Sequence, residues 1–452
     1  MASARTQLTA LWLLGGILAV VGIGVGLREQ PPQTESTPTS ESAAASESRP
    51  AKSKSDPIPN RGRDYLRDVE ANTEGLSRLA DEGSQLARDY IVRETSAAGR
   101  FTYRKHVDNQ KVKRKYNILR HSGTMYSLGM LAQRDMLNDE AKAALARAAT
   151  HLRENYIAGV DGRPGLLAVY SKKGEEKSVS KTPEVKLGGV GLALVGLLAA
   201  RAQDPESIPL EELQKLARFV LFMMQDDGSF HSKWSVDRQF DYDFKSLFYP
   251  GEAILGLVTL YQVDSNREWL DAAAKAAGRL VISRRGQKRL PPDHWLLIAT
   301  SALLPVYSDA TSPSVSADEL YQHVVDIADQ MLVSQRRYLG GDDAVIKGAF
   351  DHSGGCTGAS TRLEGLVALY DLAAKRGDED VKRRLRPALG RGGEFVLRCQ
   401  VIAGPMQGAI VRNAFVGSKP RDARRQREVQ IDYVQHAMSS LLGIARICES
   451  GC

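Results

Sequence analysis

Past residue 65 the chain states one theme six times: a charged amphipathic stretch, a loop, then an apolar stretch almost without charge. The apolar copies begin near Leu119, Lys186, Pro250, Asp293, Thr361 and Asp432, and KLGGVGLALVGLLAA from Lys186 is the plainest. Their starts lie roughly 45 to 70 residues apart, the period of a helical pair carrying insertions. Between them, Asn138–Tyr156, Pro209–Gln225, Arg267–Val281 and Ala317–Val333 place apolar residues at i, i+3, i+4 and i+7 with charge opposite, the pattern of surface helices. Helix starts are legible where Asn138-Asp139 and Ser316-x-Asp318-Glu319 supply oxygen acceptors and acidic first turns. An apolar helix with little charge is buried on most sides. Six of them alternating with six amphipathic ones predict an inner ring wrapped by an outer one. The same alternation would serve an irregular α-solenoid, but six is the number that commonly closes.

Small residues favour close inner packing. Gly188, Gly189, Gly191 and Gly196 in one inner helix cost helix stability relative to Ala and make sense where backbones approach. Aromatics are only 6% of the chain while Gly reaches 40 residues, which suits packed helices better than a β-sandwich.

The N-terminus is organised differently. Residues 1–8 form a short leader, and Thr9–Leu27 is an uncharged apolar run of about twenty residues, enough for one transmembrane span. No A-x-A cleavage site follows closely, so the run reads as an uncleaved signal anchor with the soluble domain outside the cytoplasm, in the periplasm or on the cell surface. Residues 28–64 are rich in Ser, Thr, Pro, Glu and Ala, with almost no large apolar side chains. They cannot bury enough surface to fold and read as a disordered tether. Residues 65–452 form the helical domain.

The formal charge of +7 leans toward anionic partners. Much of it sits in Lys111–Lys115 and Arg421–Arg427, where a solvated loop is the bland reading. Zinc-finger spacing, RNP-like strands and sustained basic helices are missing, so nucleic acid is not an expected partner. The four cysteines, Cys356, Cys399, Cys448 and Cys452, show no paired CxxC spacing; an oxidising compartment would allow one disulfide among the last three.

The alternating pattern resembles the α/α toroid group: six-hairpin glycoside hydrolases, polysaccharide lyases, uronyl epimerases and terpenoid-cyclase toroids. Gln225-Asp-Asp-Gly-Ser-Phe230 is similar to the helix-end turns of the last of these and occurs once. The resemblance covers roughly residues 70 to 450 and is architectural. It implies an all-α (α/α)6 toroid with short β-hairpin loops at one mouth, and it carries no catalytic residues across, since Asp241-Tyr-Asp243 is not a DxDD acid.

The long loops (101–116, 157–185, 231–249, 338–356 and 404–431) mostly precede inner helices and therefore gather at one mouth. Six inner-helix N-termini there would favour anions. Residues at or just inside those N-termini are the candidate machinery. As acids, bases or nucleophiles they are Tyr249, Glu252, Asp293, His294, Glu364, Asp432 and His436. As substrate-binding groups they are Arg120, His121, Lys186, Trp295, Arg362 and Tyr433. Two carboxylates across a basin would serve glycoside hydrolysis. A Tyr or His with an arginine clamp would remove the proton beside a uronate carboxylate, and the positive basin favours this version. No cofactor is expected; a zinc site from Asp351, His352, Cys356 and His436 is an alternative that matches no known spacing. The expected function is that of a membrane-anchored enzyme acting on an anionic polysaccharide by hydrolysis, elimination or epimerisation. A non-catalytic toroid binding glycan or an envelope protein, and an isoprenoid-handling toroid, are the rivals.

Overall fold

A computed structural model describes residues 75–175, 182–337, 346–414 and 426–452. The leader, the apolar run at 9–27 and the tether lie outside the described residues. Among those described, no helix is long and apolar enough to cross a membrane.

Twelve long helices are described. The outer ones are α1 (Leu76–Arg93), α3 (Asp139–Tyr156), α5 (Leu210–Phe222), α7 (Arg267–Arg284), α9 (Ala317–Arg336) and α11 (Glu379–Arg398). The inner ones are α2 (Ile118–Met130), α4 (Leu187–Gln203), α6 (Tyr249–Asp264), α8 (His294–Leu303), α10 (Cys356–Arg376) and α12 (Ile431–Ile447). Burial follows the sequence pattern. Every residue of α4 from Leu187 to Ala200 is buried, as is every residue of α8, whereas α1 buries only a stripe. Asn138 caps α3 through the Ala141 amide (3.0 Å), and Ser316 with Glu319 forms the capping box of α9.

The ring closes. Each inner helix packs on the next, and α12 packs back on α2 and α1. Ser77 Oγ donates to the Ala445 carbonyl (2.7 Å), and Gln400 Nε2 donates to that of Gly83 (2.8 Å). Strand β1 (Arg104–His106) pairs antiparallel with β7 (Glu428–Gln430), so the first long loop is joined to the last. A solenoid would have left these ends apart. At the same mouth a second sheet runs in the order β2 (Ile157–Val160), β3 (Arg163–Ser171), β4 (Glu184–Lys186), β5 (Lys233–Ser235), β6 (Gln239–Phe240). Strands β4 and β7 lead directly into α4 and α12.

Inner helices touch backbone to backbone. A Cβ on Gly191 would lie 2.5 Å from the Glu252 carbonyl oxygen, and one on Gly256 would lie 2.7 Å from that of Gly191. Gly188 faces the Glu252 and Tyr249 side chains and Gly189 has room, its nearest neighbour being 3.8 Å away, so the expected backbone approach holds for Gly191 and Gly196.

The turn at Gln225–Phe230 recurs in geometry although not in sequence. Isolated antiparallel bridges close Thr95 on Phe101, Met224 on Phe230 and Gln400 on Ile410, and each turn contains a positive-φ glycine: Gly99, Gly228 and Gly408. Gly348, also at positive φ, precedes Phe350 in the same way. All four glycines abut a main-chain carbonyl of the next outer helix, at Arg147, Lys275, Leu86 and Arg391 in that order. A turn that appears once as QDDGSF is therefore a fourfold device of the form Gly-x-apolar.

Two expectations need correction. Helix α10 begins at Cys356, five residues before Thr361, because a segment that reads as loop (Cys-Thr-Gly-Ala-Ser-Thr) is pinned at its start. Cys356 is disulfide-bonded to Cys399, and its amide donates to the Arg412 carbonyl (3.0 Å). Arg362 and Glu364 consequently lie in the second and third turns, not at the helix head. Moreover there are two disulfides rather than one, the second joining Cys448 to Cys452.

A Cβ at Gly99 meets the Arg147 carbonyl at 1.9 Å, whereas Gly286, also at positive φ, has nothing within 4 Å. Gly286→Ala should cost only its backbone strain, about 1 kcal/mol. Gly99→Ala should cost about 1–3 kcal/mol more, through the overpacking. Urea denaturation of both variants checks the difference.

Candidate functional site

A cavity of about 570 Å³ opens at the mouth where the inner helices begin, within the size range of small-molecule sites. One half of the ring supplies its walls. Phe248 comes from the residue before α6, Pro292 and His294 from the entry to α8, and Asp351, His352 and Ser353 from the loop before α10. Helix α10 adds Thr357, Thr361 and Arg362; the last loop adds Arg412 and Asn413, and α12 adds Tyr433.

The loops are stitched together there. Asn413 bridges Gly355 and donates from Nδ2 to the Ser353 carbonyl (2.8 Å). Asp351 Oδ1 accepts from the Ser353 amide (2.9 Å) and hydroxyl (2.6 Å), so one oxygen of that carboxylate holds the turn. Arg362 Nη1 donates to the Gly358 carbonyl (2.7 Å), its guanidinium lies 5.8 Å from the Phe350 ring centre, and its buried Nε has no partner. Burial draws its pKa down and Asp351 pulls it back; a guanidinium stays charged throughout. With Arg412 it makes the described wall cationic, Asp351 being the one carboxylate there among the described residues.

His294 stands at the first position of α8, its Nε2 buried without a hydrogen-bond partner. Burial first, and the Arg362 charge second, push its pKa down to about 3. It is a neutral imidazole at physiological pH. Phe248 packs against it in a T-shaped contact at 5.0 Å, and the His436 ring lies 6.4 Å away, also T-shaped. His436 is 0% exposed and its Nδ1 is 2.8 Å from Glu364 Oε2. Burial raises the Glu364 carboxyl well above the usual range, with a hydrogen bond from Ser439 opposing. The pair is therefore held net neutral with one proton shared. In the form with Glu364 protonated, its O–H donates to Nδ1 and the imidazole proton sits on Nε2.

The structure thus brings together His294, Arg362 and Tyr433 on the wall, with His436 and Glu364 one layer behind. The other sequence candidates go elsewhere. Asp293 is fully buried as the N-cap of α8, accepting from the Leu296 amide (3.1 Å) and pairing with Arg284 (2.6 Å). Trp295 packs against Gly251 of α6 and offers no sugar platform. Glu252 and Tyr249 lie against Gly188 in the α4–α6 contact. Lys186 is buried at the end of β4. His121 faces outward, bonded to Tyr116 Oη (2.6 Å) and the Ala148 carbonyl (2.9 Å), with burial pushing its pKa to about 3. Arg120 and Asp432 pair at 3.3 Å in a network with Tyr103 and Gln430. That network touches the cavity only through Tyr433, whose hydroxyl accepts from Gln430 Nε2 (2.6 Å).

The zinc alternative is overturned, since Cys356 is committed to a disulfide. Among the described residues no three His, Cys, Asp or Glu side chains gather to hold a metal. Residues 421–425 of the basic cluster lie outside the described residues, while Arg427 pairs with Asp108 (3.1 Å). Sequence reasoning missed Phe248, Arg412 and Asn413. The long loop before Asp432 was the only signal for the last two.

Neither a family model nor the sequence of a curated protein matches the chain. Solved structures match its fold. A sugar epimerase from a ruminal bacterium superposes with a TM-score of 0.57 at 13% identity, covering 82% of this chain and 98% of that one. Cellobiose 2-epimerase from Bacillus thermoamylovorans gives 0.55 at 11% identity, covering 81% and 98%. An unsaturated glucuronyl hydrolase specific for heparin gives 0.52 at 13%, covering 82% and 98%. The chain is a six-hairpin (α/α)6 toroid of the kind these enzymes use.

The Arg284–Asp293 pair predicts a thermodynamic signature. Arg284→Met should lower unfolding free energy by about 3–5 kcal/mol, because it strands a buried carboxylate. Adding Asp293→Asn, which keeps the cap oxygen, should recover most of that loss in urea unfolding.

Proposed function

We propose that the chain is a carbohydrate-active enzyme that removes and returns a proton at a sugar carbon next to a carboxylate or carbonyl, an epimerase of an anionic glycan. The observation that carries this reading is His294 on the cavity wall, its Nε2 without a hydrogen-bond partner, beside the Arg362 guanidinium.

The chemistry follows from the protonation states. Neutral His294 takes the proton on Nε2 as the C–H bond breaks. The electron pair moves onto the adjoining carbonyl or carboxylate oxygen, where Arg362 and Arg412 stabilise the charge. The opposite face takes its proton from solvent in the open cavity, while His436, buried behind His294 and hydrogen-bonded to Glu364, holds that base in place without touching the substrate. The proton left on His294 exchanges with solvent before the next turnover. A substrate anion beside His294 also strengthens this base by favouring its charged form.

The compared structures include two sugar epimerases and a glucuronyl hydrolase, which supports carbohydrate chemistry without choosing among these reactions. Hydrolysis has less support. It needs two carboxylates facing the substrate, while among the described residues Glu252, Asp293, Glu364 and Asp432 are absent from the cavity wall and Asp351 is the one carboxylate on it. Elimination shares the first step and differs in losing a leaving group. For location, the apolar run at 9–27 and two disulfides support a membrane-anchored domain in an oxidising, extracytoplasmic compartment.

The test is incubation with uronate polysaccharides in D2O, followed by proton NMR. Epimerisation replaces the H5 signal by deuterium without new reducing ends; vinylic protons would mean elimination, and new anomeric signals hydrolysis. His294→Asn should slow the exchange about 10²- to 10⁴-fold. Since His294 is protonated only near pH 3 in the free protein, its neutral form persists as pH falls from 7 to 4. The acid limb of kcat/KM, which reports the free enzyme, should therefore show no break near 6.5 from this group. A break there removed by His294→Asn would overturn the assignment.

A further inference from the structure

A second concavity of about 610 Å³ lies on the same mouth, over β4, β5 and β6. Six large apolar side chains are exposed among the described residues, and three of them, Val236, Tyr242 and Phe244, stand on this one hairpin and the turn after it. Tyr242 is 70% exposed and Phe244 37%, yet both rings are held. Tyr242 sits edge-on to the His231 ring at 5.1 Å, and His231 stacks on Phe240 at 4.1 Å. Phe244 lies under the Lys233 ammonium at 4.2 Å and against Tyr249 at 6.1 Å. Asp241 Oδ1 accepts from the amides of Asp243 (3.2 Å) and Phe244 (3.0 Å), which fixes the turn between the two rings. Aromatic faces kept exposed and rigid lose little entropy on binding.

Charge separates this groove from the cavity. The cavity sets Arg362 and Arg412 against Asp351. The groove sets Glu184, Asp241 and Asp243 against Lys233 and Arg238, and Lys233 is already paired with Glu184 at 3.2 Å. An anion gains nothing by entering it. A neutral pyranose fits both features, its apolar face stacking on Tyr242 or Phe244 and its hydroxyls donating to the carboxylates. The two concavities are neighbours: Phe244 lines the groove and Phe248 the cavity, at opposite ends of one five-residue segment. We infer that the groove binds neutral sugar residues of the same glycan whose charged residue enters the cavity, so that the substrate is a mixed chain rather than a single sugar. This rests on the carbohydrate reading given above.

Calorimetric titration of the full-length protein with neutral hexasaccharides, β-1,4-linked glucose, mannose or N-acetylglucosamine, tests it. At least one should bind, and Tyr242→Ala and Phe244→Ala should each weaken it about tenfold, the weight of one aromatic contact. His294→Asn should leave it within about twofold, a change of a few tenths of a kcal/mol. Binding of none of the three, binding indifferent to both groove variants, or binding lost with His294→Asn would each overturn the inference. Thermal melts of the variants separate lost binding from lost fold. Neutral-sugar binding with no exchange in D2O would retain the groove and sink the epimerase chemistry; exchange without neutral binding would do the reverse.

Discussion

Everything at the mouth depends on how closely the inner helices approach. Where α4 crosses α6, Gly191 lies against the main chain of Glu252–Ala253, and Gly256 lies against that of Gly191. Gly251 admits Trp295, and Gly365 admits the backbone and Cβ of His294. Glycine in a helix interior costs about 1 kcal/mol relative to Ala, and here the return is geometric. Side chains at the helix heads are brought near enough for His294, from α8, and His436, from α12, to face each other across the helix that carries Glu364.

Burial then decides the chemistry. Water is excluded around these heads, so charge survives only where a partner is at hand. Asp293 keeps Arg284 and Asp432 keeps Arg120. Glu364 has an imidazole instead, and His294 has only an arginine nearby. The result is a layered arrangement: ion pairs that brace the helix ends, and a net-neutral imidazole–carboxyl unit beside a cationic wall.

The fold was legible because a helix period over many residues accumulates signal, as in Leu187–Ala200, whose apolar continuity has no reading other than burial. Helix starts were legible where polarity changes sharply, at Asn138 or Ser316. The start of α10 was not, since Cys-Thr-Gly-Ala-Ser-Thr has the local preferences of a loop and is made helical by contacts to Cys399 and Arg412, distant in sequence. The candidate site was legible as a set of helix-head residues but not as a place. Whether a residue near an N-terminus points to the cavity, to the outer ring like His121, or into a cap like Asp293 is a matter of rotation about the helix axis. An error of one residue in a start turns that by 100°. Arg412 and Asn413 sit in irregular chain, where no periodicity exists to read.

The four glycine turns lead somewhere else. Each places the chain leaving one outer helix against the carbonyls of the next, and the last of them, at Gly408, returns to α1, where the domain began. At these four of the six junctions the spacing is thereby set by the thickness of two backbones, a quantity that side-chain substitution does not alter. The outer wall can change nearly all of its surface while the diameter of the ring stays fixed. The mouth keeps its gauge at these junctions whatever its loops become.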